Sequence, residues 1–321
     1  MSRDFDRLEP QLILDAIEAA GFRTTGEYTQ LNSYENRVFD IRLEEYAGAP
    51  DPCERVIAKF YRPHRWSAEA IADEHQFLFD LQSEGISAVA PLILSNGRSL
   101  IHREGYEMAL FPRVAGRMPD EFLKGDLAQV GRTLARIHNI GARSKARYRP
   151  TLGPRDYGWP ALERLAAFVD RELWPRYEAT AITILDHLED RLEPRSFIRL
   201  HGDCHKGNLL HNGSEFFFVD FDDFCNGPVV QDFWMLLSGS IDDEIAREEQ
   251  DDICKGYEEL REIPDEWDLF EPLRGLRIIH YAGWIAQRWD DPFFKRIFPT
   301  YETYSYWLDE LGRLEAIAEA L

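Results

Sequence analysis

The spacing of apolar residues changes within the first sixty positions. Residues 12–20 place Leu, Ile and Ala on one helical face, and Gly21 after them is a typical C-terminal stop. Residues 39–43 alternate apolar and charged side chains, and residues 56–61 are rich in strand-forming types. The pattern predicts one short helix followed by two strands, with a polar loop around residues 47–52 between them.

A second amphipathic helix is predicted over residues 67–85, and it carries a charge on its apolar face. Glu74 lies three residues after Ile71 and four before Leu78, so its carboxylate points toward the core. Because a buried unpaired charge is strongly destabilising, Glu74 needs a cation, and Lys59 on the preceding strand is the candidate. A purely structural ion pair explains these two residues as well as a functional one.

The spacing of apolar residues becomes that of helices after a last predicted strand at residues 108–114. The apolar spacing then predicts helices at residues 126–141, 159–173, 179–192, 231–237, 251–261 and 269–289. A β-rich first part and a helical second part predict an α+β protein with two lobes, divided near residues 112 to 116.

One short β segment interrupts these helices. Asn212-Gly213 is a strong hairpin signal between apolar runs at residues 209–211 and 216–219, and Asp220 follows the second run. In such a hairpin Asn208 and Asp220 come within reach of one cation, while Asp203 lies on the loop before them.

The residue types of this segment favour phosphoryl transfer. An amide oxygen and a carboxylate, from Asn208 and Asp220, are hard ligands that suit Mg²⁺. Asp203 is not needed as a ligand and is free to accept a proton from an acceptor hydroxyl. Each residue alone is most often a cap or turn former, but their spacing together with the hairpin favours the catalytic interpretation.

Four residues around this segment have weaker assignments. His201 is expected to organise the backbone of the loop, and Asp232 to cap a helix or to accept hydrogen bonds from the loop's amides. Asp222 and Asp223 follow the presumed metal ligand, where they attract a basic substrate or simply face the solvent.

One helical face near the C-terminus mixes cations and aromatic rings. Such a stripe lines an acceptor cleft or, as is more common for Tyr and Trp at helical spacing, belongs to the core. Its members are Arg277, Tyr281, Trp284 and Arg288.

Charge and cysteine usage narrow the classes of partner. With 37 Lys and Arg against 58 Asp and Glu, the net charge of −21 argues against a broad nucleic-acid or membrane-binding face. It favours cationic partners, or serves only solubility. The chain has no apolar run of ~20 residues and no CxxC spacing, so we expect a soluble, cytoplasmic protein without zinc or disulfides. We also expect a monomer, although nothing in the sequence fixes the oligomeric state. The cysteines are Cys53, Cys204, Cys225 and Cys254.

Residues 201–208, which read HGDCHKGN, together with Val219 and Asp220 resemble the HGDxHxxN and ID motifs of the aminoglycoside phosphotransferase and choline kinase group. The resemblance to the bacterial stress response kinase A family is closer. It covers residues 31–37, 59–63, 74–77, 200–208, 226–228, 231–232, 234–237 and 271–274.

The resemblance implies a cytoplasmic serine/threonine protein kinase of stress responses that uses ATP and Mg²⁺. It implies a protein-kinase-like fold with a nucleotide-binding lobe at residues 1–112 and a catalytic and substrate-binding lobe at residues 113–321. Asp203 would be the proton acceptor, and Asn208 and Asp220, the latter also catalytic, the magnesium ligands.

On the nucleotide side, the resemblance makes Ser33 a contact to ATP. Lys59 and Glu74 then fit the lysine and glutamate that hold the α- and β-phosphates in kinases, with Lys59 partly hydrated. We expect the acceptor to be a Ser or Thr in a protein, with basic residues near it.

The chain departs from ordinary protein kinases in two places. Residues 32–36 replace a G-x-G-x-x-G loop, and Asp222-Asp223 follow Phe221 where most kinases have glycine. No Ala-Pro-Glu segment is present, so regulation by loop phosphorylation is not expected. Two other functions stay open: a small-molecule kinase for an amine-bearing alcohol, and a nucleotide-sensing pseudokinase, against which the intact Asp203 argues.

Overall fold

The structure, a computed structural model, describes residues 5, 7–44, 54–237 and 244–321, with no side chains described for residues 244–246. The loop predicted at residues 47–52 and Cys53 lie outside the described residues.

The N-terminal lobe is a five-stranded antiparallel sheet with two helices. Along the chain, one helix precedes the first strand and the other connects the third strand to the fourth. The strands lie in the order β1-β2-β3-β5-β4. The elements are α1 (Pro10–Ala19), β1 (Thr24–Leu31), β2 (Arg37–Leu43), β3 (Arg55–Phe60), α2 (Ala68–Ser83), β4 (Ile101–Arg103) and β5 (Tyr106–Pro112).

Helix α2 joins the two lobes through its apolar face. Ser67 caps it by accepting a hydrogen bond from the Ala70 amide over 3.2 Å. Phe77, Leu78 and Leu81 are fully or almost fully buried and belong to the same apolar cluster as the helices and hairpin of the second lobe. The helix is therefore held between the sheet and the C-terminal lobe, which fixes the position of Glu74.

The C-terminal lobe is mainly helical and carries two small antiparallel strand pairs, β6 with β9 and β7 with β8. Among the described residues, no helix is both long and apolar enough to span a membrane. The elements are α3 (Asp126–Gly141), α4 (Trp159–Leu165), α5 (Trp174–Arg191), β6 (Ile198–Leu200), β7 (Leu209–His211), β8 (Phe216–Phe218), β9 (Cys225–Gly227), α6 (Gln231–Trp234), α7 (Glu244–Glu258), α8 (Phe270–Gln287), α9 (Pro292–Ile297) and α10 (Tyr304–Glu319).

The two-lobed α+β arrangement is confirmed, with differences in detail. The helix predicted to reach residue 173 ends at Leu165, and a turn in which Asp170 accepts a hydrogen bond from the Glu172 amide over 2.8 Å separates it from α5. The helix predicted at residues 251–261 begins earlier, at Glu244. Strand β1 was not predicted, since its side chains are mostly exposed and carry no alternating pattern. The division at residue 112 stays a prediction.

Candidate active site

A cavity of about 370 Å³ lies between the lobes. Four of the residues singled out from the sequence line it: Ser33, Lys59, Glu74 and Asp220. Asp203 and Asn208 are outside the lining, on the loop that leads from β6 to β7. Most of the other lining side chains are apolar: Leu31, Val38, Ile57, Leu78, Val89, Phe111, Pro112, Val114, Leu210, Val219 and Phe221.

The backbone of the loop at residues 201–208 is fixed by buried polar contacts. Gly202 adopts φ 83°, and a Cβ atom there would lie 2.3 Å from the carbonyl oxygen of Asp223, so only glycine fits. Asp232 accepts hydrogen bonds of 2.9 Å from the amides of His201 and Gly202. His201 donates through Nε2 to the Val219 carbonyl over 2.9 Å. The supporting roles expected for His201 and Asp232 are confirmed by these contacts.

Both oxygens of Asp203 are engaged by nitrogen donors. Arg277 Nη2 lies 2.8 Å from Oδ1, and His205 Nε2 lies 3.4 Å from Oδ2. Because His205 Nδ1 accepts a hydrogen bond from the Gly207 amide, a neutral His205 carries its proton on Nε2, toward the carboxylate. Burial alone would raise the pKa of Asp203, but Arg277 and His205 hold it well below its usual range.

Asn208 and Asp220 are brought together by the hairpin, as predicted. The Val219 amide donates to the Asn208 carbonyl over 3.0 Å, directly before the β7–β8 pairing. Asn208 also donates Nδ2 to the Asp203 carbonyl over 2.8 Å, which leaves its Oδ1 without a partner among the described residues. Asp220 adopts a left-handed φ of 59°, which is uncommon outside glycine, and its side chain is 51% exposed.

This pair of oxygens suits a hard divalent cation. Asp220 uses Oδ1 for an ion pair with Lys59, and its Oδ2 has no described partner, so one carboxylate oxygen and one amide oxygen remain open. In the described part of the chain, no three His, Cys, Asp or Glu side chains cluster as a metal site. A metal ion bound here would need water or phosphate oxygens to complete its coordination, as Mg²⁺ sites in proteins usually do.

Lys59 is surrounded by three carboxylates. Its Nζ lies 3.0 Å from Asp222 Oδ1, 3.2 Å from Asp220 Oδ1 and 3.8 Å from Glu74 Oε1. Burial alone would lower the pKa of Lys59, but these carboxylates raise it well above the ordinary value. The lysine side chain is only 8% exposed. The predicted pairing with Glu74 is present as the longest of three contacts, and Lys59 also lines the cavity.

Arg149 is the nearest cation to Glu74, and sequence reasoning missed it. Nη2 of Arg149 lies 2.5 Å from Glu74 Oε2, and both side chains are buried. Burial nevertheless raises the pKa of Glu74 to about 7 against the opposing effect of Lys59 and Arg149. The sequence indicated only that Glu74 needed a cation, and Arg149 lies in a loop without any periodic pattern.

The interpretation that Asp222 faces the solvent was wrong, because its side chain is buried, whereas 31% of the Asp223 side chain is exposed. That the two carboxylates attract a basic substrate stays a prediction. Asp222 is buried between Lys59 and Arg65, with Arg65 Nη1 in direct contact with Oδ2. Arg65 Nη2 also lies 2.6 Å from Asp223 Oδ1. Burial raises the pKa of Asp223. The two carboxylates serve to bind the N-terminal lobe, through Arg65, to the segment after Asp220.

The turn between β1 and β2 places Ser33 at the cavity. Ser33 Oγ accepts a hydrogen bond from the Asn36 amide over 3.2 Å, so its own hydroxyl proton is directed elsewhere. Asn36 in turn accepts from the Arg62 amide over 3.0 Å. These bonds hold the turn in a defined shape without a glycine-rich sequence.

The face of α8 that carries both cations and aromatic rings lies against this turn and against the loop at residues 201–208. Trp284 Nε1 donates to Glu35 over 2.7 Å, and Arg288 Nη2 lies 2.8 Å from the same carboxylate. Tyr281 stacks on Trp284 with 5.4 Å between ring centroids, and Arg277 reaches Asp203. The two arginines and Tyr281 therefore face the space between the lobes, while Trp284 also packs against the core of the C-terminal lobe.

Comparison with known proteins agrees with this geometry. Residues 27–271 match the phosphotransferase enzyme family. Stress response kinase A of Escherichia coli strain K12 is 38% identical over 324 residues, which cover 99% of this chain and 94% of that protein. The serine/threonine protein kinase RdoA of Salmonella typhimurium strain LT2 is 37% identical over 310 residues, which cover 94% of this chain and 90% of that protein.

Solved structures share the fold at low sequence identity. Amicoumacin kinase, in complex with AMP-PNP, Ca²⁺ and Ami, has a TM-score of 0.74 at 20% identity, with 98% of this chain and 93% of that chain covered. A microcompartment-associated aminopropanol kinase has a TM-score of 0.69 at 18% identity, with 97% of this chain and 95% of that chain covered. The protein-kinase-like fold predicted from the sequence is thus confirmed. The chain belongs to the phosphotransferase enzyme family and, within it, to the stress response kinase A group.

Proposed function

We propose that this protein is an ATP- and Mg²⁺-dependent kinase that phosphorylates Ser or Thr hydroxyls of proteins in a bacterial stress response. The single observation that carries the proposal is the convergence of Lys59 and Asp220 at one end of the cavity, 3.2 Å apart. Asp203 lies on the adjoining loop, where Arg277 and His205 hold it. The protein acceptor is supported by the name of the Salmonella relative. A monomer in the cytoplasm stays part of the proposal.

The chemistry assigned to Asp203 follows from its lowered pKa. The carboxylate is ionised at neutral pH, so it would accept a hydrogen bond from the acceptor hydroxyl. It would take the proton as the hydroxyl oxygen bonds to the γ-phosphorus of ATP and the bond from that phosphorus to the ADP oxygen breaks, with ADP as the leaving group. Because its proton affinity is low, its main contribution is to orient the hydroxyl.

The nucleotide side follows from the cavity lining. Magnesium–ATP, when bound, supplies the transferred phosphoryl group and neutralises part of its charge. Asn208 Oδ1 and Asp220 Oδ2 are the protein oxygens that would hold the metal, since neither has another described partner. Lys59 and the Ser33 hydroxyl lie at the same cavity and would bind the phosphates.

A second candidate is a small-molecule kinase that acts on an amine-bearing alcohol. It is supported by the likeness of fold to amicoumacin kinase and to aminopropanol kinase. The identity to these proteins is 20% or less, so the likeness concerns the fold and leaves the acceptor open.

Radiolabelled ATP distinguishes the candidates. Purified protein is incubated with the label alone, with an acidic and a basic protein, and with aminopropanol, and protein products are hydrolysed for phosphoamino-acid analysis. Label on Ser or Thr supports the proposal, and label on aminopropanol alone favours the second candidate.

Two variants serve as controls for this assay. Asp203→Asn must remove the label, while Asp309→Asn, the same substitution on an exposed position of α10, must retain it. Binding of nucleotide without label on any acceptor would contradict both candidates and favour a pseudokinase.

A further inference from the structure

The guanidinium of Arg277 lies beside the carboxylate of Asp203, and only one of its three nitrogen atoms donates a hydrogen bond there. Its Nη2 donates to Asp203 Oδ1 over 2.8 Å. No residue in the described part of the chain accepts a hydrogen bond from Nε or Nη1. The side chain is 29% exposed, so these remaining donors are open to a molecule that enters the cleft.

The geometry points to Arg277 as the residue that selects the acceptor: we propose that it binds a carboxylate next to the hydroxyl to be phosphorylated, so that the enzyme prefers a Ser or Thr flanked by Asp or Glu. This inference rests on the proposed function, because it names the acceptor class of the same site. It is distinct from the roles of Asp203 and the metal ligands, since Arg277 would act by positioning the acceptor.

The nitrogen donors on both oxygens of Asp203 weaken its attraction for a cationic acceptor. An ammonium group that approached Asp203 would meet Arg277 on one oxygen and His205 on the other. The carboxylates that looked available from the sequence, Asp222 and Asp223, are already paired with Arg65. Nη2 of Arg277 carries two hydrogens and gives one to Asp203, so one edge of the guanidinium, made by Nη2 with either Nε or Nη1, is left to match the geometry of a carboxylate.

The charge of the whole chain does not oppose this assignment. The expectation of basic residues beside the acceptor rested on the net charge of −21. At physiological ionic strength the Debye length is ~8 Å, so distant surface charges are screened and the contacts within the cleft decide. The proposal therefore replaces the expectation of basic flanking residues.

The face of α8 beyond Arg277 suits an extended chain. The guanidinium lies 5.7 Å from the ring centre of Tyr281, one helical turn away, and Tyr281 is itself stacked on Trp284. Tyr281 is 37% exposed and lies beside Phe298, which also contacts the exposed Tyr34 of the N-terminal lobe. An aromatic surface that continues from the carboxylate across both lobes favours a polypeptide over a compact hydroxy acid.

The test uses two synthetic peptides that are identical except for the residues flanking a single Ser, Asp in one and Lys in the other. For the full-length protein with Mg²⁺ and ATP we expect kcat/KM to be about tenfold higher for the Asp peptide, because a charge-assisted pair is lost with Lys. Arg277→Glu should reverse the preference, and Arg277→Lys should keep its direction. A preference carried mainly by KM is expected of a positioning residue.

Arg132→Glu is the matched control, because Arg132 is an exposed arginine of α3 that, among the described residues, forms an ion pair only with Glu259. It changes the net charge by the same amount and should leave the preference unchanged. Equal use of both peptides by the wild type, or a preference that Arg277→Glu does not reverse, overturns the proposal. Efficient use of a small hydroxy acid with neither peptide used also overturns it.

Direct peptide binding separates this proposal from the proposed function. Binding of both peptides is measured with and without Mg²⁺ and a non-hydrolysable ATP analogue. If the protein fails to bind the nucleotide, the proposed function fails, while tighter binding of the Asp peptide by the wild type, reversed in Arg277→Glu, still supports the role of Arg277. If neither peptide binds, the proposal fails whatever the nucleotide does.

Discussion

Glu74 is paired most closely with Arg149, since 2.5 Å separate Oε2 from Nη2 inside the protein. The same guanidinium donates to the carbonyls of Ala70 and Asp222, each over 2.9 Å. Arg149 thereby ties helix α2 to the segment that follows Asp220. Its contacts are all with the protein, so its contribution is to the folded state with or without nucleotide.

This relationship predicts a difference between two variants. Arg149→Met should lower the free energy of unfolding by about 3–5 kcal/mol, because it leaves a buried carboxylate without its nearest cation. Lys59→Met should cost clearly less, because Glu74 keeps Arg149 and Asp222 keeps Arg65. Urea unfolding of the nucleotide-free proteins measures both values.

Arg143→Met provides the matched control for this comparison. Arg143 is 58% exposed and pairs with Glu84 at the surface, so its loss should change the free energy of unfolding by ~1 kcal/mol or less. If Lys59→Met were as destabilising as Arg149→Met, Lys59 would be mainly structural and its assignment to the phosphates would weaken.

The role assigned to Asp203 predicts a separation of turnover from nucleotide binding. Asp203→Asn should reduce phosphoryl transfer by about 10²-fold or more, because the amide cannot accept the hydroxyl proton. Nucleotide affinity should stay near normal, because Asp203 is not among the residues that line the cavity. Single-turnover transfer and analogue binding are measured on the same preparation, with Asp309→Asn as control. Near-normal transfer in Asp203→Asn would remove the residue from the mechanism.

The two candidate metal ligands should differ in strength. Asp220→Asn tolerates the left-handed backbone but loses the charge, so it should raise the Mg²⁺ concentration needed for nucleotide binding more than Asn208→Ala does. Titrating Mg²⁺ against bound ATP analogue gives both midpoints. An unchanged magnesium requirement in both variants would refute the metal site.

The parts of the fold that were predictable are those encoded locally. The hairpin was visible because Asn212 and Gly213 specify its turn, and Gly213 indeed adopts φ 101°. Helix α3 was visible because its apolar stripe is long and regular, and its bounds match the prediction. The placement of Asn208 beside the strand that precedes Asp220 followed from the hairpin alone.

The remainder of the site depends on contacts between residues far apart in the chain. Arg149 meets Glu74 across 75 positions, and Arg65 meets Asp222 across 157. Both arginines lie in loops, where no periodicity marks the direction of a side chain. The sequence showed the need for a cation at Glu74 but offered 37 Lys and Arg residues to meet it.

The burial of His75, which neighbours Glu74 on α2, lets us predict how the free energy of unfolding changes with pH. It is 1% exposed, and its ring nitrogens lie 2.9 Å from the Tyr61 hydroxyl and 2.8 Å from Ser99 Oγ. Burial, with a smaller effect of the nearby cations, lowers the pKa of His75 from its ordinary value of 6.5 to about 3. The folded state therefore holds this imidazole neutral over a range in which the unfolded chain binds a proton.

The difference between the folded and unfolded pKa of His75 makes the free energy of unfolding depend on pH. The contribution of a neutral His75 to stability is fully present above the unfolded pKa of 6.5 and is lost as the pH falls toward about 3. We expect the free energy of unfolding of the wild type to fall relative to His75→Gln over this range, with a slope approaching ~1.4 kcal/mol per pH unit for one proton. Urea unfolding of both proteins at about pH 7.5, 6 and 5 measures the difference, so effects common to both proteins cancel. A difference that stays constant with pH would show that His75 is protonated in the folded protein or reached by water.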